Sequence, residues 1–585
     1  MRGRKKDRGP LPSRRQAMAM MGSCALYPWL RRPIDVLVQA LVDGVIHKAQ
    51  AATGAPAPRN YIYIALPGGP CRWYWDMPLN PYADAPNAHP MVGTRLGADG
   101  KPAYATILVD NNKIPTLASP ADFLRMPSLW GANIPTSGGG TVEMWRILAN
   151  MVMIRGIDMQ VDGHALNSNK QIRPLDARPS LTGLVADASS ARIPAVGSVG
   201  GNSPASVYKS ARGVGQVRLS STKISDPLSV ILGPFNRRGG EVSSAYLGRR
   251  QAMEGVIQAA LTSLSAYASS QNPGSQELFA MRHEAQNLIT IGVAEVVAGF
   301  AVLKDKYMKL VSASSRVMDP AMQIPGLTDR VVPGPAGSGA DALGPFQSGT
   351  DGNFVRNADL RTAVHHSDGG AYPGAQIEEL AGGFAIAEIL LKNGYSSSVL
   401  WAQGSVDNLR FDGASDTEYG FDPHFGGVYP DMVVMAFFYR ALAACLYEFS
   451  LSLGPALFKE TVVHISSEYS RTPEDTGHGT QHGPRTNCCS IFSGAITKPF
   501  VVGNVFEAWK DGFYTKIDAN WGVAAPTSID GANQVLGIGH STSSVAELLR
   551  VARPVTNASS LVRESSGGVV PAVELAKTGG QGERS

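Results

Sequence analysis

The sequence predicts an α/β protein in which a mostly parallel sheet lies between helices. A run of β-branched and aromatic residues at 61–66 predicts a buried strand, and it leads directly into a glycine-rich segment at 67–71. Open α/β sheets place their ligands where strands end in such loops. In the second half of the chain, helical patterns over about 375–393 and 429–452 alternate with a predicted strand at 461–466.

The other predicted elements complete one domain over residues 55–555. Residues 143–160 predict a short helix followed by a strand through 151–154. Apolar residues at three- and four-residue spacing predict a helical insertion over about 243–315. Four further features are a mobile Gly/Pro/Ala-rich loop at 333–352, strands at 398–401 and 500–502, a helix after His540, and a disordered tail at 556–585.

Composition and charge exclude several classes of protein. Of the 585 residues, 44% are hydrophobic and 17% are charged, which is ordinary for a folded protein. The net charge of +4 hides an asymmetry, because residues 1–15 carry seven basic side chains and one acidic side chain, a net +6. The other 570 residues therefore carry −2. Without a basic surface, we expect no nucleic-acid partner.

The first 30 residues are typical of an export signal. A basic stretch ends at Arg14 and Arg15, and a short apolar segment follows at 17–26. This order resembles a twin-arginine signal, which predicts a periplasmic or surface location. Cys24, in Met-Gly-Ser-Cys, is a candidate for lipidation; the alternative is a basic tail followed by a buried helix. No later stretch offers ~20 uninterrupted apolar residues, so we expect no membrane-spanning helix in the mature chain.

Three segments in the second half carry side chains suited to metal-dependent chemistry. They contain Asp422 and His424, Arg471 and His482, and His540. Asp and His are common ligands of zinc and manganese in hydrolytic sites, and an arginine can neutralise an anionic substrate. The alternative is that Asp422 and His424 cap one following helix and that His540 caps another.

The segments also resemble motifs of a known family. Residues 467–473 (SEYSRTP) with 479–483 (GTQHG) resemble the S-E-[FY]-G-R-T-P…G-T-D-H-G hallmark of a secreted bacterial family, catalogued as domain of unknown function 1501. That family is placed in the alkaline phosphatase and sulfatase superfamily. Weaker similarities to its other motifs lie in the same order along the chain, at 68–71, 162–165, 420–424 and 539–542.

The resemblance implies an alkaline-phosphatase-like fold and a divalent-metal site, with zinc or manganese as the metal. By motif, Asp422, His424 and His540 would hold one ion and His482 would contact a second. The implied substrate is a small anionic ester, a phosphate or a sulfate. His164 matches an N-H-[ES] motif and is a candidate catalytic residue.

Two further candidate catalytic residues are Cys71 and Arg471, and the chain also departs from the family pattern. Cys71 stands where the family often has serine, and Gln481 stands where it has an aspartate before His482. An amide is a poor replacement for a carboxylate at a divalent cation. These changes predict a site that holds one ion only. The alternative is a catalytically inactive member that binds another component of the cell envelope.

Overall fold

The computed structural model describes residues 56–77, 95–96, 102–103, 106–110, 123–191, 193–199, 203–222, 298–314, 374–403, 421–422, 428–473, 480–506, 509–510, 513–514 and 523–576. All of them fall within one compact unit, which comprises Ala55–Leu232 and Ile291–Ser585. The predicted export signal, the loop at 333–352 and most of the predicted insertion at 243–315 lie outside the described residues.

A nine-stranded sheet forms the centre of the fold. Its strands, in chain order, are β1 (Asn60–Leu66), β2 (Met151–Asp158), β3 (Val196–Ser198), β4 (Val217–Leu219), β5 (Ser398–Ala402), β6 (Thr461–Ser467), β7 (Asn487–Phe492), β8 (Phe500–Val502) and β9 (Leu536–Gly537). The spatial order is β4-β3-β5-β1-β6-β7-β2-β8, and β9 also pairs with β2.

Only β7 runs against its neighbours in this sheet. β1 pairs in parallel with β5 and with β6, and the pairs β4–β3, β3–β5, β8–β2 and β9–β2 are also parallel. β7 is antiparallel to both β6 and β2. The predicted α/β class with a mostly parallel sheet is therefore confirmed.

Both faces of the sheet are covered, because alternate residues of each central strand point to opposite sides. On β1, Ile62 and Ile64 join the larger apolar core, whereas Tyr61 and Tyr63 join the second core on the other face. The described residues contain six helices, namely α1 (His164–Lys170), α2 (Leu181–Ala188), α3 (298–314), α4 (Gly374–Lys392), α5 (Val428–Lys459) and α6 (Ile538–Leu549). α3, α4 and α5 supply the larger core, and α2 and α6 the second.

The helices predicted near 375–393 and 429–452 are confirmed, although α5 is longer than expected. Its helical backbone is interrupted at Gly454, before Pro455, and a last turn continues to Lys459. Within the described residues, Phe437–Lys459 is the one helix long and apolar enough to cross a membrane, with a mean hydropathy of 1.4. In the most apolar 18-residue window of this helix, 56% is buried inside the fold. A buried core helix has the same length and composition, so this feature does not by itself indicate a membrane.

Small ribbons and short 3-10 helices surround the sheet. The ribbons are Arg95–Leu96 with Pro102–Ala103, Thr106–Asp110 with Phe123–Pro127, Asn133–Pro135 with Thr141–Glu143, Ser470–Pro473 with Thr480–Gly483, Asn504–Phe506 with Val523–Ala525, Trp509–Lys510 with Phe513–Tyr514, Thr527–Ile529 with Ala532–Gln534, and Val562–Ser565 with Gly568–Pro571. The 3-10 turns are Arg72–Tyr74, Ser128–Gly131, Met144–Asn150 and Pro204–Val207.

The hairpin of Val562–Ser565 and Gly568–Pro571 corrects the prediction of a disordered tail from residue 556. Leu561, Val562 and Val569 are buried in the second core. They therefore provide the apolar burial that orders this hairpin despite the Gly and Ser residues around it. Residues 577–585 lie outside the described part of the chain.

Candidate metal site

Turns that follow three strands meet at one edge of the sheet. β1 ends at Leu66 and leads into Gly68 and Gly69, β2 leads into α1, and β6 leads into Glu468. Because these strands are parallel, all three turns lie at their carboxyl ends, where open α/β sheets bind ligands. The short ribbon before β7 brings His482 to the same edge.

Within the described residues, one group of His, Cys, Asp and Glu side chains is arranged to hold a metal ion. It consists of His164, Asp422 and His482, whose ligand atoms lie within 4.8 Å of one another. Nε2 of His164 is 3.7 Å from Oδ2 of Asp422. Two atoms bound about 2 Å from one ion are about 3.3 Å apart at a tetrahedral angle, so only small movements are needed. The side chains are 30, 47 and 19% exposed, in that order, and an ion can enter from solvent.

Glu468 orients the His164 ring. Its carboxylate is 1% exposed, and Oε1 lies 2.9 Å from Nδ1 of His164 and accepts the Gly68 amide at 2.5 Å. An ionised carboxylate only accepts hydrogen bonds, so Nδ1 carries the proton and Nε2 offers its lone pair to a metal. The hydrogen bond to Glu468 raises the pKa of His164, while partial burial opposes the shift. Carboxylate–histidine pairs of this kind are typical of metal sites.

Asp162 orients His482 in the same way. Nδ1 of His482 lies 2.6 Å from Oδ1 of Asp162, which leaves Nε2 as the nitrogen that faces a metal. Asp162 comes from the turn between β2 and α1, two residues before His164. In the ribbon, Arg471 and His482 are directly opposite each other in antiparallel register, so their side chains share one face.

The third candidate ligand, Asp422, is held by Arg471. The guanidinium of Arg471 is fully buried, and Nη2 donates to Oδ1 of Asp422 and to the Gly68 carbonyl. Its Nε donates to the Gly69 carbonyl at 2.8 Å. Our expectation was that Arg471 meets an anionic substrate directly. Its burial and these contacts instead give it a positioning role, in which it holds Asp422 against the turn after β1.

The turn after β1 is tailored to these contacts. Gly68 and Gly69 have φ values of +97° and +72°, which side-chain-bearing residues rarely adopt. A Cβ on Gly68 would lie 2.9 Å from Cβ of Phe421, the buried residue that precedes Asp422. The two glycines therefore let the turn lie directly against the segments that carry Asp422 and Glu468.

The other predicted site residues lie elsewhere or outside the described part of the chain. His540 is not in the cluster; its Nδ1 accepts the Gly537 amide at 3.2 Å and caps α6, which is the alternative that the sequence left open. Burial lowers the pKa of His540. Cys71 is fully buried in the larger apolar core, where a solvent-borne substrate does not reach it. Cys24, His424 and the side chain of Gln481 lie outside the description.

The carboxylates behind the two histidines carry a function that sequence reasoning missed. Glu468 and Asp162 both stood inside the motifs compared with the family, and an acidic residue next to a candidate ligand was the only available signal. Asp76, a carboxylate that follows the turn after β1, is fully buried and pairs with Arg72. It also accepts a hydrogen bond from Ser490 at 2.8 Å. Asp76 is therefore a buried core residue and does not belong to the cluster.

No protein-family model, curated protein or solved structure matches this chain.

The donor set fits a divalent transition metal. Two imidazoles and one carboxylate are the ligands of many catalytic zinc sites and of other sites that leave coordination positions open. Here each ligand has a partner on its far side: Glu468 behind His164, Asp162 behind His482 and Arg471 behind Asp422. Magnesium and calcium prefer all-oxygen ligands and are less suited to this group.

Proposed function

We propose that this chain is an exported, metal-dependent hydrolase of small phosphate or sulfate esters. The observation that carries the proposal is the cluster of His164, Asp422 and His482, each held from behind, at the carboxyl edge of a mostly parallel sheet. We also propose an alkaline-phosphatase-like architecture, and the mostly parallel sheet supports it. The resemblance of residues 467–483 to the family hallmark supports the same chemistry.

A zinc or manganese ion in this cluster would polarise an ester oxygen and make a water molecule more acidic. The chain's own residues supply positioning. Glu468 and Asp162 keep the proton on Nδ1 of each histidine, and Arg471 fixes one oxygen of Asp422.

Activity of metal-loaded protein tests the proposal. We expect hydrolysis of p-nitrophenyl phosphate or p-nitrophenyl sulfate after loading with zinc or manganese, and loss of that activity in Asp422→Asn. Asp305→Asn is the matched control, because Asp305 is an exposed partner of Lys309 on α3. Hydrolysis that persists in Asp422→Asn would contradict the assignment of Asp422 as a metal ligand of the active site. Bound metal without turnover of either ester would favour a binding module of the cell envelope.

The location has its own test. Arg14 and Arg15 precede a short apolar segment, an order typical of twin-arginine export. We expect the full chain to reach the periplasm of a bacterial host and the double substitution of both residues by lysine to retain it in the cytoplasm. Equal export of both forms would exclude this route.

A further inference from the structure

A tyrosine lies against both histidines of the candidate site. The ring of Tyr469 stacks on His482, with centroids 4.3 Å apart and planes 13° apart. The same ring meets His164 edge-on at 5.0 Å. The two imidazoles are also perpendicular to each other at 4.6 Å. The three rings therefore form one cluster, in which Tyr469 accompanies two of the candidate metal ligands.

Tyr469 is itself held in a fixed position. Its side chain is fully buried, and the Ser467 hydroxyl donates to its backbone carbonyl. A Cβ on Gly69 would lie 3.2 Å from both Cβ and Cδ2 of Tyr469, so the missing side chain of that glycine makes room for the ring. Glu468, the preceding residue, contacts His164, and Arg471, two residues later, donates to Asp422.

We propose that the aromatic ring of Tyr469 is a positioning residue that fixes the orientation of both metal-binding imidazoles. The inference rests on the proposed metal site. A hydrogen bond at Nδ1 restrains rotation of an imidazole about its Cβ–Cγ bond, but the tolerance of hydrogen-bond angles still lets the plane of the ring tilt. A flat aromatic surface against the face of His482 and the edge of His164 removes this freedom, in the offset and edge-to-face arrangements that aromatic rings favour. We assign the role to the ring, and because the Tyr469 hydroxyl interacts with the Asp162 carboxylate, its contribution is measured separately with Tyr469→Phe.

Metal affinity and metal spectroscopy test this role without relying on hydrolysis. The full chain is titrated with Zn²⁺ by calorimetry and with Co²⁺ by visible absorption, which reports ligand geometry. Loss of a group that orients metal ligands typically costs about 10–100-fold in metal affinity. We expect that loss, with an altered Co²⁺ spectrum, in Tyr469→Leu and in Tyr469→Met, whose unbranched side chain adapts more readily to the space that the ring leaves. Tyr469→Phe keeps the ring and should match the wild type in both measurements.

The outcomes separate this inference from the proposed function. Wild-type affinity and an unchanged spectrum in folded Tyr469→Leu or Tyr469→Met would overturn the positioning role and leave the metal site intact. A loss in Tyr469→Phe would also overturn it, because the hydroxyl would then matter, and this variant is conservative enough to fold. If the wild-type chain binds neither ion, the metal site fails and the inference fails with it.

Discussion

Replacing Glu468 by glutamine changes one charge at the centre of the site and almost nothing else. The carboxylate is 1% exposed and accepts from the Gly68 amide at 2.5 Å and from Nδ1 of His164 at 2.9 Å. An amide oxygen has the same shape, so both contacts can persist. They become hydrogen bonds to a neutral acceptor, which are worth about 0.5–1.5 kcal/mol instead of about 1.5–3 kcal/mol.

The difference is about 1–1.5 kcal/mol for each bond. Weakening the bond to His164 should therefore raise the Kd for Zn²⁺ about tenfold, since 1.4 kcal/mol corresponds to a factor of ten. Weakening both should lower the free energy of unfolding of the metal-free protein by about 2–3 kcal/mol. The pKa of His164, which Glu468 raises, should fall back towards its ordinary value.

Three measurements check this prediction: calorimetric titration with Zn²⁺, urea unfolding, and an NMR titration of the His164 ring in the metal-free protein. Glu143→Gln is the control, because Glu143 is exposed and pairs only locally with Arg146. A local surface pair contributes less than about 1 kcal/mol and lies outside the site. If Glu468→Gln binds Zn²⁺ as the wild type does and the pKa of His164 does not move, the argument for an oriented imidazole is refuted.

Three further predictions concern stability. Arg550 lowers the pKa of Glu564 to about 2, so this ion pair stabilises the fold fully above pH of about 4.5 and is lost as pH falls towards 2. Glu564→Gln should flatten that part of an acid-unfolding curve, and an unchanged curve would contradict the prediction. Gly156 in β2 has φ +69°, and a Cβ there would lie 2.0 Å from the Asn504 carbonyl oxygen. Gly156→Ala should lower the free energy of unfolding in urea by more than about 3 kcal/mol. A decrease of less than about 1 kcal/mol would show that the strands separate easily. Val569→Asp should destabilise the protein by about 2–4 kcal/mol because it buries a charge in the second core, whereas a thermal midpoint equal to that of the wild type would mean that the last hairpin does not pack there.

The elements that the sequence predicted are those whose own residues determine them. β1 and β6 are runs of β-branched and aromatic residues, and α4 has apolar residues all round. β3 and β4 have three residues each and gain their structure from the neighbouring strands. β7 begins Asn-Cys-Cys-Ser, a pattern that predicts no strand, and only its position between β6 and β2 makes it one.

The candidate site was predicted in part for a similar reason. Asp422 and His482 were expected as ligands, and both belong to the cluster. His164 was expected in another role, and His540 was expected in its place. Which histidine reaches the cluster depends on the turns after β2 and before α6, and no local pattern specifies them. The Gly68 amide and Glu468 meet across 400 residues of chain, so their contact follows from the parallel pairing of β1 with β6.

Metal content of single variants tests the central claim most directly. The full chain is purified, and zinc, manganese and iron are measured by elemental analysis in the wild type, His164→Ala, His482→Ala and His540→Ala. We predict about one ion per chain in the wild type and in His540→Ala, and loss of the ion in the other two variants. A wild-type chain without metal would contradict the account, and so would an ion that survives His164→Ala but is lost in His540→Ala.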